Sequence, residues 1–141
     1  MERKASALWQ GDLKSGKGTI TTGSGVLTRT QYSFSDRFES GTGTNPEELI
    51  AAAHAGCFAM ALSAQLGEAG LVAQSIDASA TVALEKLDSG WTVTSSHLAV
   101  TVKAPGADRA KLETAANNAK NGCPISKLLN AKITMDAKYE T

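Results

Sequence analysis

A chain of 141 residues with 42% hydrophobic content is the size of one domain with a core of its own. Lys+Arg and Asp+Glu both number 14, so no charge excess recommends nucleic acid or an anionic membrane surface as a partner. No apolar run approaches the roughly 18 residues of a membrane span, and the opening MERKASALWQGD lacks the apolar centre of a signal peptide, which favours the cytoplasm. Two cysteines in such a reducing compartment are more often catalytic, metal-binding or inert than a permanent disulfide.

The first forty-odd residues read as β structure with Gly-rich turns. ASALWQ is a strand, Gly11 to Gly18 a turn, and residues 19–22 a second strand. The alternation in QYSFSDRF predicts a third strand. ESGTGT is a loop, after which Asn45 is a good N-cap, Pro46 suits the first helical position, and Glu47 and Glu48 complement the helix dipole. This helix is expected to run to about Leu66, with GEAGL closing it. Its body, AAAHAGCFAMAL, has so little bulk that other backbone could approach it closely on several sides.

Ile76, Ala78, Ala80, Val82 and Leu84 then share one parity against Asp77, Ser79, Thr81 and Glu85, a strand with one wet face. LDSGW is a hairpin turn into WTVTSSHLAVTVK, where the apolar parity switches near Ser95 and Ser96 and suggests a bulge. A second helix is expected over residues 108–120, a short third in PISKLLN, and a closing strand in AKITMDAKYE. No repeat, linker or low-complexity tract divides residues 1–141, which read as a single α+β domain whose sheet packs on the small-residue helix.

Cys57 and Cys123 are 66 residues apart, which excludes the local spacing of a CxxC redox motif or a zinc knuckle. Both could be small core hydrophobes. Local electrostatics favour Cys123 as the more acidic thiol, since it opens a helix; Cys57, in mid-helix, needs a nearby cation. His54 lies three residues before Cys57, so a Cys–His pair could be nucleophile and base, or half of a metal site completed by Cys123 and His97. A hydrogen-bonded spacer is the blander reading of His54, and His97 reads as structural or exposed. GTGTNP is Gly-rich before a helix, but it lacks the P-loop pattern. Taken as bare residues, Arg37 and Glu47 are a strand charge and an ordinary first-turn helix acid.

TNPEELIAAAHAGCFAMALS together with NGCPISKLL resembles the OsmC/Ohr family, named for osmotically inducible protein C and the organic hydroperoxide resistance proteins. The likeness runs the length of the chain, and AHAGCF with WQGDLKSGKG is more similar to the OsmC branch than to the Ohr branch. The resemblance implies a cysteine-based peroxidase with no metal, flavin or other cofactor, active in oxidative and osmotic stress defence. Its peroxidatic cysteine matches Cys57, its resolving cysteine Cys123, its arginine Arg37 and its NPE glutamate Glu47. The implied fold is an intertwined homodimer, with sheets wrapped around central helices and active sites at the interface. The implied substrates are organic hydroperoxides, with hydrogen peroxide beside them, and the implied reductant is a dithiol, in the Ohr branch a lipoylated protein. A non-catalytic redox-sensing or ligand-binding module on the same fold is the competing function.

That chemistry suits the residues. A thiolate attacks the terminal peroxide oxygen and becomes a sulfenic acid, and a second thiol condenses with it before over-oxidation. Arg37 would supply the missing cation, and Glu47 would hold its guanidinium. Ten residues of one helix put Glu47 roughly 15 Å along the axis from Cys57 and about 80° around it. An antiparallel partner helix could bring its own Glu47 there instead.

Overall fold

A computed structural model describes all residues, 1–141, as two compact units, Met1–Leu49 and Ile50–Thr141. In the first, β1 (Ala5–Gln10), β2 (Lys17–Thr22) and β3 (Thr30–Tyr32) form an antiparallel sheet in that order. The strand expected through residues 31–38 stops at Tyr32, and α1 (Phe34–Phe38) follows. The alternation misled because local capping won. The Ser33 hydroxyl accepts from the Asp36 N–H at 3.2 Å and donates to the Asp36 carboxylate at 2.7 Å, which ties the backbone into a turn. Phe34 and Phe38, one turn apart, then pack with centroids 4.9 Å apart.

Helix α2 (Pro46–Glu68) begins as its sequence implies, with the Glu48 N–H donating to the Asn45 side-chain oxygen at 2.8 Å. It ends with Leu71 N–H bonded to Leu66 C=O at 2.8 Å, a closure that needs the left-handed φ of 73° at Gly70. One expectation fails here. By length and composition α2 is long and apolar enough to cross a membrane, because residues 49–67 carry no charge even though most of them are small. Core helices of water-soluble proteins pass the same test.

In the second unit, β4 (Ser75–Leu87) and β5 (Gly90–Lys103) form a long hairpin, and β6 (Lys132–Glu140) pairs with β5 in parallel. The hairpin register shifts between Ala83 and Leu84, whose partners are Ser95 and Val93. The extra residue is therefore Thr94, one position before the expected bulge, and it turns Leu98, Val100 and Val102 inward. They pack with Phe58, Leu62 and Leu66 of α2 and with Leu112, Ala115, Ala116 and Ala119 of α3 (Arg109–Gly122). Phe58, Leu62 and Leu66 recur every four residues, so a single stripe of α2 faces this core. Helix α3 starts on its Asp108 cap, whose side chain accepts from Ala110 N–H at 2.8 Å. Cys123 separates α3 from α4 (Pro124–Leu128), closing one helix and opening the next.

Candidate active site

The first unit assembles the charged pair. Arg37, in the last turn of α1, donates through Nη2 to Glu47 Oε1 at 2.7 Å and through Nε to Oε2 at 3.1 Å. Two parallel bonds fix the plane of the guanidinium, which a single contact would leave free to swing. Its carbon also lies 5.3 Å from the centre of the Phe38 ring. The Arg37 side chain stays 37% exposed, whereas that of Glu47 is only 11% exposed, so the carboxylate is the buried anchor and the cation the reachable end.

Asp36 organises the loop that brings this pair together, and its role was not foreseen. Its carboxylate accepts from the Gly43 N–H at 2.6 Å, and its backbone carbonyl accepts from the Asn45 amide at 3.0 Å. A Cβ on Gly43 would meet that carboxylate, so the close approach requires glycine. The Gly-rich stretch before α2 thus has a carboxylate already on its amide, which removes the phosphate-cradle reading. The spacing Ser33-x-x-Asp36 was the available signal, as a helix-capping pattern.

The second unit assembles the thiols. Cys57 on α2 and Cys123 at the start of α4 are free cysteines with Sγ atoms 2.8 Å apart, the Cys123 thiol donating. Residues 66 apart in sequence are therefore neighbours, and their sulfurs are close enough to react with one another. Cys123 is fully buried, while Cys57 is partly exposed. Burial pushes the Cys57 thiol above its ordinary range; the neighbouring Cys123 sulfur adds to this, and the backbone N–H of Ile125 opposes it. Within its own unit, then, Cys57 is a reluctant acid.

His54 is fully buried one turn before Cys57. Its Nδ1 lies 2.7 Å from the hydroxyl of Ser96 on β5, and its Nε2 2.7 Å from that of Ser126 on α4. Burial lowers its pKa and keeps the ring neutral, so one hydroxyl donates to it and the other accepts. With both nitrogens engaged, His54 is neither a metal ligand nor a base for Cys57. His97 bonds to Thr134 at 2.7 Å and faces Asp136 at 3.3 Å, so the metal set Cys57–His54–Cys123–His97 is not assembled. Ser96 and Ser126 were missed by sequence reasoning. Ser126 lies three residues after one cysteine just as His54 lies three before the other, and that symmetry was legible.

Two free thiols in contact, one partly exposed and one buried, are the arrangement that two-cysteine thiol redox chemistry requires. The chain matches the OsmC-like protein family over residues 39–138, and it belongs to that family. It is 51% identical over 141 residues to the Escherichia coli (strain K12) protein named Peroxiredoxin OsmC, covering 100% of this chain and 99% of the relative. It is 32% identical over 124 residues to the organic hydroperoxide resistance protein OhrB of Bacillus subtilis (strain 168), covering 87% of this chain and 88% of that one. The crystal structure of Bacillus subtilis OhrB superposes with a TM-score of 0.74 at 29% identity, covering 96% of this chain and 98% of that one. An OsmC-like protein of Vibrio cholerae gives a TM-score of 0.78 at 18% identity, over 98% of this chain and 99% of that one, and so speaks for the fold alone.

Proposed function

We propose that Cys57 is the attacking thiol of a hydroperoxide reductase, that Cys123 resolves it, and that Arg37 and Glu47 serve Cys57. The chain is a thiol-dependent peroxidase of the OsmC family, taking a hydroperoxide as oxidant and a thiol donor as reductant. The observation that carries the division of labour is the 2.8 Å contact between a partly exposed and a fully buried sulfur. A hydroperoxide can reach Cys57 from solvent, whereas Cys123 is open only to the sulfur it touches.

The Cys57 thiolate attacks the terminal oxygen of ROOH, the O–O bond breaks, and ROH leaves with a proton while Cys57 becomes a sulfenic acid. Cys123 then displaces water from that sulfur to give the disulfide, which an external dithiol reduces. The first step needs the thiolate that burial disfavours, so a cation must act on it. Arg37 is our assignment. Its planar fork is held by Glu47 and still 37% exposed, which suits it to the attacking sulfur and to the developing negative charge on the leaving oxygen.

Lipoylated proteins are our choice of reductant, organic hydroperoxides our choice of substrate, and the cytoplasm our choice of compartment, where two free thiols persist. Steady-state turnover of an organic hydroperoxide with dihydrolipoamide, against the same assay with glutathione, tests the reading. Turnover in the dithiol arm is expected. No consumption of hydroperoxide with any thiol would leave a non-catalytic redox module instead.

We further propose that residues 1–141 work as one domain and that the working form is a homodimer. Ala52, Ala53, Gly56, Met60 and Ala64 are exposed along one side of α2, with Met60 at 78%, an uncharged face that a second copy can cover closely. The ten-residue spacing of Glu47 and Cys57 on one helix is the second support, since it favours Glu47 acting on the partner's thiol. A heterodimer of a Cys57→Ser subunit and a Glu47→Ala subunit then holds one site with both defects and one with neither. Recovery of up to about half the normal activity per dimer is expected from two poor parents. Activity at the parental level in verified heterodimers would assign Glu47 to its own chain.

A further inference from the structure

His54 and Ser126 repeat the geometry of the thiol pair one helical turn away. His54 precedes Cys57 by three residues on α2, Ser126 follows Cys123 by three on α4, and the two side chains meet at 2.7 Å as the sulfurs meet at 2.8 Å. The same two helices are therefore joined by two side-chain contacts, side by side. We propose that His54 is a positioning residue for disulfide formation, holding the Cys123 helix against Cys57 through its hydrogen bond to Ser126. The proposal rests on the peroxidase reading.

Beyond the buried Cys123 at its start and the Ile125 N–H on the Cys57 sulfur, helix α4 has few anchors. It is five residues long, it buries none of them fully, and Cys123 makes no side-chain cap bond to it. Leu128 at its end is 74% exposed, and of its apolar residues Ile125 packs, partly buried, against the core. Two side-chain hydrogen bonds, Cys123–Cys57 and Ser126–His54, tie residues 123–128 to α2. Reaction removes the first of these. Once Cys57 carries a sulfenic oxygen, the thiol–thiol contact must be remade before resolution can occur, as must the bond from the Ile125 N–H to the same sulfur, and Ser126–His54 is the tie that involves neither reacting sulfur. The other ring nitrogen of His54 bonds to Ser96 on the sheet, a contact that does not touch α4.

In the step so positioned, the Cys123 sulfur attacks the Cys57 sulfur and an S–S bond forms. The S–O bond breaks, and hydroxide leaves with the Cys123 proton as water. Cys123 is oxidised and Cys57 reduced by the same amount. A competing hydroperoxide instead oxidises the waiting sulfenic acid to sulfinic acid, so any looseness of α4 appears in the partition between these products.

The test treats reduced full-length protein with one and then several equivalents of tert-butyl hydroperoxide, followed by acid quench and mass spectrometry of Cys57. Ser126→Ala deletes the tie at a half-buried position. His54→Asn keeps an amide near the Nδ1 site facing Ser96 but cannot reach Ser126, whereas His54→Gln extends one toward it. Oxidation of Cys57 in Ser126→Ala is expected at the wild-type rate. Its disulfide formation should slow about fivefold, the scale of one buried hydrogen bond, with sulfinic acid rising in proportion. His54→Asn should show the same shift in partition, and His54→Gln and Ser126→Thr should restore it. Wild-type partition in Ser126→Ala would overturn the proposal. So would an equal shift in Ser96→Ala, which breaks only the sheet-side bond and would signal a generally loosened core. If wild-type Cys57 is not oxidised at all, the peroxidase reading itself fails and takes this inference with it.

Discussion

Cys57→Ser is expected to abolish hydroperoxide reduction, leaving no turnover above the uncatalysed rate, because a serine hydroxyl cannot carry the sulfenic oxygen. Cys123→Ser should behave differently. Its first turnover proceeds, since the attacking sulfur is intact, but no disulfide follows and Cys57 passes to sulfinic acid with successive equivalents of oxidant. Mass spectrometry after one and after several equivalents separates the two variants. The contrast rests on access: Cys123 is fully buried against Cys57, so hydroperoxide meets Cys57 first. Electrostatics at the start of a helix favoured Cys123 instead. A helix of five residues is a weak dipole, and a sulfur shut off from solvent is not the one a hydroperoxide reaches. A first oxidised product on Cys123 would reverse the two roles.

Arg37→Ala is expected to give the next largest loss. Burial already pushes the Cys57 thiol up, and removing the proposed cation leaves only the Ile125 N–H to oppose that rise. The sign follows directly. A higher thiol pKa means less thiolate at any pH below it, so the pH–rate profile shifts to higher pH and the rate at neutral pH falls. An opposing charge of this kind is worth about one to two pKa units, hence roughly a 10- to 100-fold slower reaction near pH 7, with recovery as the pH is raised. Arg37→Lys should recover only part of this, because lysine keeps the charge but not the planar fork that Glu47 grips at two points. Thiolate absorbance against pH measures the shift itself. An unchanged titration in Arg37→Ala would remove Arg37 from the mechanism.

The bounds of α2 were legible because its signals are local: the Asn45 cap, Pro46 at the first position and a glycine free to take a positive φ at Gly70 are chemistry between near neighbours. The alternation of β4 and the approximate span of α3 were legible for the same reason. Motif resemblance went further and supplied the proposal that the two cysteines, Arg37 and Glu47 act together; the structure brings each pair into contact. Where a local pattern was ambiguous the expectation failed. Residues 31–38 alternate as a strand does, yet a serine and an aspartate three apart turned them into a helix cap.

Tertiary structure decided what depends on proximity across long separations. No sequence rule puts Cys57 2.8 Å from Cys123, sets which sulfur is buried, or threads a neutral imidazole between a serine of the sheet and a serine of α4. Nor does composition reveal that an aspartate fills the glycine-rich loop before α2. Helix caps, turns and alternation are settled within a few residues, and a chain carries that information wherever it is read. The acidity of a thiol and the reach of its partner are set by what folding brings around it, and those neighbours lie as far as 72 residues away, from His54 to Ser126.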